Sequence, residues 1–200
     1  MSSAWKASPE GPEYDATRRR LVDAAEAIVR DEGPGALKLD PVGEAVGLHR
    51  SSVYRYFDSK EELLTAVVVQ ATLRVGREVI GELGEDAPPE RFLAEGLAMA
   101  MARIATEPVL RSLLSPTVSE AMVRVGNRAL TEGIRPLVEP MFVAADERGL
   151  LRPDVSTDDA LRWLQVVATG LFRAPDLVPD RDELTRLLQR LLVPALLDLP

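Results

Sequence analysis

The chain has 200 residues, 46% of them hydrophobic, and a formal net charge of −8 from 24 Lys or Arg against 32 Asp or Glu. That length and apolar content suffice for a packed core in one large or two small domains, while the acidic balance excludes a protein that coats nucleic acid regardless of sequence. The absence of cysteine and the single histidine exclude disulfides, thiolate nucleophiles, cysteine-bound zinc and multi-histidine metal sites within one chain.

Met1 to Ala16 carries prolines, glycines and small polar residues without a helical apolar period, and reads as a mostly disordered arm. Leu21, Ala24, Ala25 and Ile28 then recur at helical spacing, predicting a first helix over 18–30 that closes at Glu32-Gly33. Pro34-Gly35 is a turn. Asp40 is a good N-cap, Pro41 suits the first helical position, and Val42 and Val46 lie four apart, so a short helix is expected from about Asp40 to Val46.

Leu48 to Leu63 is the most informative stretch. Gly47 can adopt a left-handed backbone, Leu48 can plug the corner, and His49 is placed to open a helix at Arg50. Two helices joined by about three residues including such a glycine match the helix-turn-helix geometry. Val53, Tyr56 and Phe57 fall at i, i+3 and i+4 and face inward, which leaves Arg50, Ser51, Tyr54 and Arg55 on an outer face without an acid. Arginine forks read guanine O6 and N7, and hydroxyls bond phosphate or base edges. Ser59, with Glu62 three residues on, predicts a capped helix start with Lys60 beside free backbone N–H groups, where a phosphate can dock.

These residues carry a resemblance. Leu21-Val22-Asp23-Ala24-Ala25, Glu32-Gly33, Val42 to Leu48 and Tyr54 to Leu64 look like the N-terminal domain of TetR-type transcriptional repressors, over about residues 17 to 64. Lys38, Val42-Gly43 and His49 depart from the family's usual threonine, isoleucine-alanine, and serine or threonine; these positions touch caps and packing more than the reading face. The resemblance implies a dimeric all-α protein that binds a palindromic double-stranded operator and whose C-terminal domain takes a small molecule that lowers DNA affinity. It also implies phosphate contacts near Arg18, Arg19 and Arg20. The DNA-contacting set is accordingly expected among Arg18, Lys38, His49, Arg50, Ser51, Ser52, Tyr54, Arg55 and Lys60.

Charge is the objection: residues 1 to 64 hold nine Lys or Arg against twelve Asp or Glu, although Gly47 to Lys60 holds three basic residues and one acid. An operator-selective protein with weak non-specific affinity and marked salt dependence is expected.

A fourth helix from about Lys60 to Leu83 runs from the head (17–64) into a second domain (65–200). From Glu90 to Ala105, Leu93, Leu97, Met101 and Ile104 form one stripe and Phe92, Gly96, Met99 and Ala100 another, predicting a buried helix. Pro108 and Pro116 bracket a short helix. Glu120 to Glu147 is helical, with a kink or break expected between Gly126 and Pro140. Gly149 to Asp154 is a connector, and Ser156 to Arg173 and Asp180 to Leu197 form the last two helices.

Phe92, Gly96, Met99, Met122, Phe142 and Trp163 together suggest a mostly apolar ligand pocket, with Arg103 able to anchor an anion, although plain core packing explains each of them singly. Trp163, Val167 and Gly170 with Leu184, Leu188, Leu191 and Leu192 form the expected dimer face, a four-helix interface. Acid pairs such as Asp158-Asp159 sit in first helical turns and need no catalytic role. No Walker loop, dinucleotide fingerprint or Gly-x-Ser-x-Gly elbow occurs, so no enzyme is indicated. The longest nearly apolar run, around Leu63 to Ala71, is too short to span a bilayer and no signal pattern opens the chain; a cytoplasmic protein without cofactor, metal or membrane partner is expected. Two rivals stay open: a DNA-binding factor that ignores ligands, and a helical small-molecule-binding protein without operator binding.

Overall fold

A computed structural model of the chain describes residues 11–84, 86–113, 120–178 and 180–199. The protein is all-α, and divides into two compact units, one ending at Val67 and the other beginning at Val68.

The first unit holds α1 (Pro12–Glu32), α2 (Leu39–Ala45), α3 (Arg50–Val53) and the start of α4 (Lys60–Leu83). Helix α1 starts within the stretch read as a disordered arm. Pro12 sits in its first turn with Glu13 and Asp15, where a fixed φ and negative charge both favour a helix start. A tertiary contact then holds that turn: the Tyr14 ring stacks on Tyr56 with centroids 4.7 Å apart. Residues 1–10 of the expected arm lie outside the described residues. At the other end Gly33, at φ 83°, donates its N–H to the Val29 carbonyl at 3.0 Å and closes the helix.

Helix α2 begins two residues earlier than the capping pattern predicts, with Lys38 at the N-cap and no side-chain cap bond. Asp40 is therefore in the first turn and is not the cap. The reason is burial: Leu37 is 0% and Leu39 8% exposed, and sinking two leucines stabilises this start by more than the roughly 1 kcal/mol a capping side chain contributes. Pro41 still falls among the leading residues whose N–H has no intrahelical partner.

In the second unit the expected helix over 90–105 is three pieces run end to end, α5 (Pro89–Arg91), a π-helical turn (Phe92–Gly96) and α6 (Leu97–Ile104). The wider turn brings Leu93, Ala94 and Gly96 to the core together. Helix α7 (Pro108–Ser112) is capped by Glu107, whose carboxylate accepts from Leu110 N at 2.7 Å; Pro116 lies outside the described residues.

Helix α8 (Glu120–Glu147) runs on through Pro136 and Pro140, so of the kink or break expected between Gly126 and Pro140 the break does not occur. Both prolines are exposed, so water can serve the carbonyls that lose a donor. Helix α9 (Thr157–Arg173) is capped by Ser156 and α10 (Arg181–Leu191) by Asp180, each side chain accepting from the N–H three residues on.

The last helix does not reach Leu197 unbroken. A short α11 (Val193–Leu196) follows Leu192, since Pro194 cannot donate to an earlier carbonyl. The chain then turns extended: Leu197 bridges to Leu151, with Arg152 N–H donating to Leu196 O and Asp198 N–H to Leu150 O. The core of this unit gathers Leu93, Phe142, Leu164, Leu184, Leu188 and Leu192. Leu184, Leu188 and Leu192, expected at a dimer face, are thus spent inside the subunit, where α10 packs on the π-helical turn and α6.

Candidate functional site

The head is built around a tight corner. Gly47 takes φ 75°, and Leu48 N–H returns to the Gly43 carbonyl at 2.8 Å. A β-carbon on Gly43 would come 2.7 Å from Val53 Cγ2 and 3.0 Å from Leu48 O, so the departure from alanine here matches an unusually close approach of α2 to α3. His49 opens α3 as a cap: its Nδ1 accepts from Ser51 N–H at 3.4 Å and lies 3.0 Å from Ser51 Oγ. Val53 and Phe57 are 0% and 1% exposed. Anchoring those two turns Ser51, Tyr54 and Arg55 outward, all three exposed, while Ser52 is half-buried. Helix α3 has a single turn, and its continuation to Phe57 is held by bonds such as Phe57 N–H to Val53 O at 3.1 Å. The side chain of Arg50 lies outside the described residues.

Several basic groups of the head serve the fold first. The Arg18 guanidinium lies over the Phe57 ring at 4.7 Å, Arg20 donates to the Val46 carbonyl at 2.9 Å, and Lys60 Nζ donates to the Gly35 carbonyl at 3.2 Å. Lys60 keeps two more N–H donors. Lys38 is exposed at the start of α2. At α4, Ser59 Oγ accepts from Glu62 N–H at 3.1 Å, and the Glu62 carboxylate accepts from Asp58 N–H at 2.7 Å, one residue before the partner a capping box would use.

Tyr14 escaped the sequence reading. Besides its stack, its hydroxyl donates to the Arg55 carbonyl at 3.1 Å, so the first turn of α1 holds the end of the reading segment. An aromatic in a segment with no apolar period gives no signal of its own; only the pairing with Tyr56, 42 positions on, reveals it.

The second unit contains an apolar cavity of about 80 Å³. Thr72, Gly76 and Val79 of α4, Phe92 and Gly96 of the π-helical turn, and Leu137 of α8 are among its walls. The Thr72 hydroxyl donates to Val68 O at 2.8 Å, so even this polar wall offers little to a ligand. Phe92 and Gly96 from the expected pocket line this space, and Met99, Arg103, Phe142 and Trp163 do not. Phe142, 0% exposed, and Met99, 4% exposed, are packed elsewhere, and Trp163 is 48% exposed. Arg103 pairs with Glu82 and, at 3.8 Å, with Glu78, which leaves it answering acids of α4 instead of an anion. Met122's side chain lies outside the described residues. Among the described residues no cluster of His, Cys, Asp or Glu is suited to a metal, and no helix is long and apolar enough to cross a membrane.

The model of the family described as bacterial regulatory proteins, tetR family, matches residues 21–67. An uncharacterised helix-turn-helix-type transcriptional regulator of Mycobacterium tuberculosis is 29% identical over 166 residues, 82% of this chain and 76% of that protein. Among solved structures, the regulator RolR in complex with resorcinol superposes with a TM-score of 0.63 at 18% identity, covering 91% of this chain and 88% of that one. FadR of Bacillus subtilis in complex with stearoyl-CoA gives 0.54 at 16%, covering 88% and 97%. The two superpositions speak for the fold, and the head's sequence and the relative speak for the role: residues 21–67 are a head of the tetR family of bacterial regulatory proteins, and the relative that matches most of the chain is a transcriptional regulator and not an enzyme.

Proposed function

We propose that this regulator is a repressor that binds a palindromic operator as a homodimer and lets go when a small, mostly apolar molecule enters the second unit. The observation that carries the reading is the outward face of Ser51, Tyr54 and Arg55, set on a corner fixed by Gly47 and Phe57. Two such faces related by a two-fold axis meet successive major grooves when about 34–36 Å apart. A ligand shifts the balance only by its differential affinity for the DNA-compatible and incompatible forms.

The test is footprinting of the purified protein on its own upstream intergenic DNA across a salt series. The expected result is a protected palindrome with half-sites one helical turn apart, and binding that falls steeply with salt. Absence of protection at low salt overturns the reading for that region and favours a helical ligand-binding protein without an operator.

The homodimer rests on apolar surface that one subunit leaves uncovered. Trp163 and Val166 on α9 are 48% and 58% exposed, and Leu191 on α10 is 68% exposed. Buried large aromatics dominate interfaces, so Trp163→Glu is expected to convert dimers to monomers at micromolar concentration with helicity retained. Sedimentation velocity reads this directly, and an unchanged dimer would place the interface elsewhere.

A second reading, a DNA-binding factor that ignores ligands, is favoured by the small cavity. At about 80 Å³ it lies well below the roughly 300 Å³ of ordinary ligand pockets. A ligand must therefore enlarge it.

A further inference from the structure

We propose that the effector site has two chambers divided by Met101 and takes an elongated apolar molecule bearing a hydrogen-bond acceptor at one end. This rests on the reading of the apolar cavity as the effector site and says what that site holds. A second cavity, of about 110 Å³, lies in the same unit and shares Met101 and Ile104 with the first. Leu164 and Ala168 of α9 line the first, and Leu171 and Phe172 of the same helix line the second. The chambers therefore follow one another along the seam of α6 and α9, over about 12 Å from Leu164 to Phe172 at the α-helical rise.

The shared wall is uneven in stiffness. Ile104 is β-branched and 6% exposed, which fixes it. Met101 is half-buried and unbranched, with three torsions that let it swing aside without disturbing the helix. Size makes that motion matter. Neither chamber alone reaches the roughly 150 Å³ of an engineered cavity that holds benzene, and the two joined exceed it.

The ends differ in chemistry. The first chamber is almost wholly apolar, while the second carries one charged side chain in its lining, Arg181 at the start of α10. Among the described residues Arg181 has no ion-pair partner. Asp180, Asp182 and Glu183 surround it in sequence, and the Asp180 carboxylate is already engaged in capping α10 at Glu183 N–H, 2.7 Å away. A guanidinium only donates, so the ligand group that meets it is a hydrogen-bond acceptor such as a hydroxyl or carbonyl oxygen.

Calorimetric titration of the full chain with straight-chain primary alcohols from butanol to dodecanol tests this. Affinity is expected to rise about fourfold per added methylene, the value for a fully buried CH₂, through decanol without a break. Met101→Ala is expected to strengthen binding of the longest alcohols more than the shortest, because only they must displace that side chain. Arg181→Ala should weaken all of them without changing the gain per methylene. A plateau at the same short chain length in both wild type and Met101→Ala overturns the two-chamber site, and if operator binding is intact the regulator reading still stands. Unbroken length dependence in a protein that binds no operator supports the chambers and overturns the regulator reading instead.

Discussion

Replacing Arg55 with alanine is expected to weaken operator binding by about 2–6 kcal/mol per dimer, because each subunit loses a base-reading fork worth roughly 1–3 kcal/mol. That is about thirtyfold to roughly 10⁴-fold in Kd. Arg55 is exposed on the segment that Val53 and Phe57 anchor, so the truncation removes the proposed DNA contact without opening the core. Gel-shift titration against operators altered one base pair at a time separates two cases. A base contact predicts that Arg55→Ala becomes indifferent to one symmetric pair of positions while the salt slope stays nearly constant. A phosphate contact predicts uniform weakening and a salt slope shallower by about one per subunit. Unchanged affinity with the dimer intact would remove Arg55 from the interface altogether.

Phe57→Ala should have the largest effect on stability, a loss of about 3–5 kcal/mol. Phe57 is 1% exposed, closes the turn after α3 through its N–H to Val53 O, and carries the Arg18 guanidinium on its ring. Set against the roughly 5–15 kcal/mol of a whole domain, this removes a large share of the head's stability and lowers its melting temperature. The core of the second unit gathers around Phe142, Leu164 and Leu188 and does not include this residue. The expected result is therefore a split: thermal unfolding by circular dichroism shows an early transition for the head, and binding to the apolar ligand series persists. A single shifted transition with both activities lost together would mean that the two units unfold as one.

Much of the head was written in local chemistry. Gly33 and Gly47 stand where the backbone must turn left-handed, Ser59 precedes the helix it caps, and Val53 and Phe57 keep a spacing that permits one buried face. Each of these depends on neighbours within about four residues, a range over which sequence dictates conformation directly. The same holds for the caps at Ser156 and Asp180.

Other features depended on partners far along the chain. Helix α1 reaches back to Pro12, where Tyr14 meets Tyr56, and α2 starts at Leu39 because burial outweighs the cap that Asp40 could give. The prolines of α8 failed to break it because they face solvent, a fact of orientation and not of composition. The leucine stripe of α10 was legible as apolar, but its spacing did not say whether it would be buried within the subunit or against another. Packing against the π-helical turn decided that for Leu184, Leu188 and Leu192, and left Leu191 outside. The cavity walls show the limit most clearly, since Thr72, Gly76, Phe92 and Leu137 come from three separate segments. Sequence by itself determined the helix-turn-helix head and the helical class, because turns, caps and amphipathic periods are short-range. Which apolar residues face a void, a core or a partner is a matter of how helices distant in sequence settle against one another, and only the tertiary structure decided it.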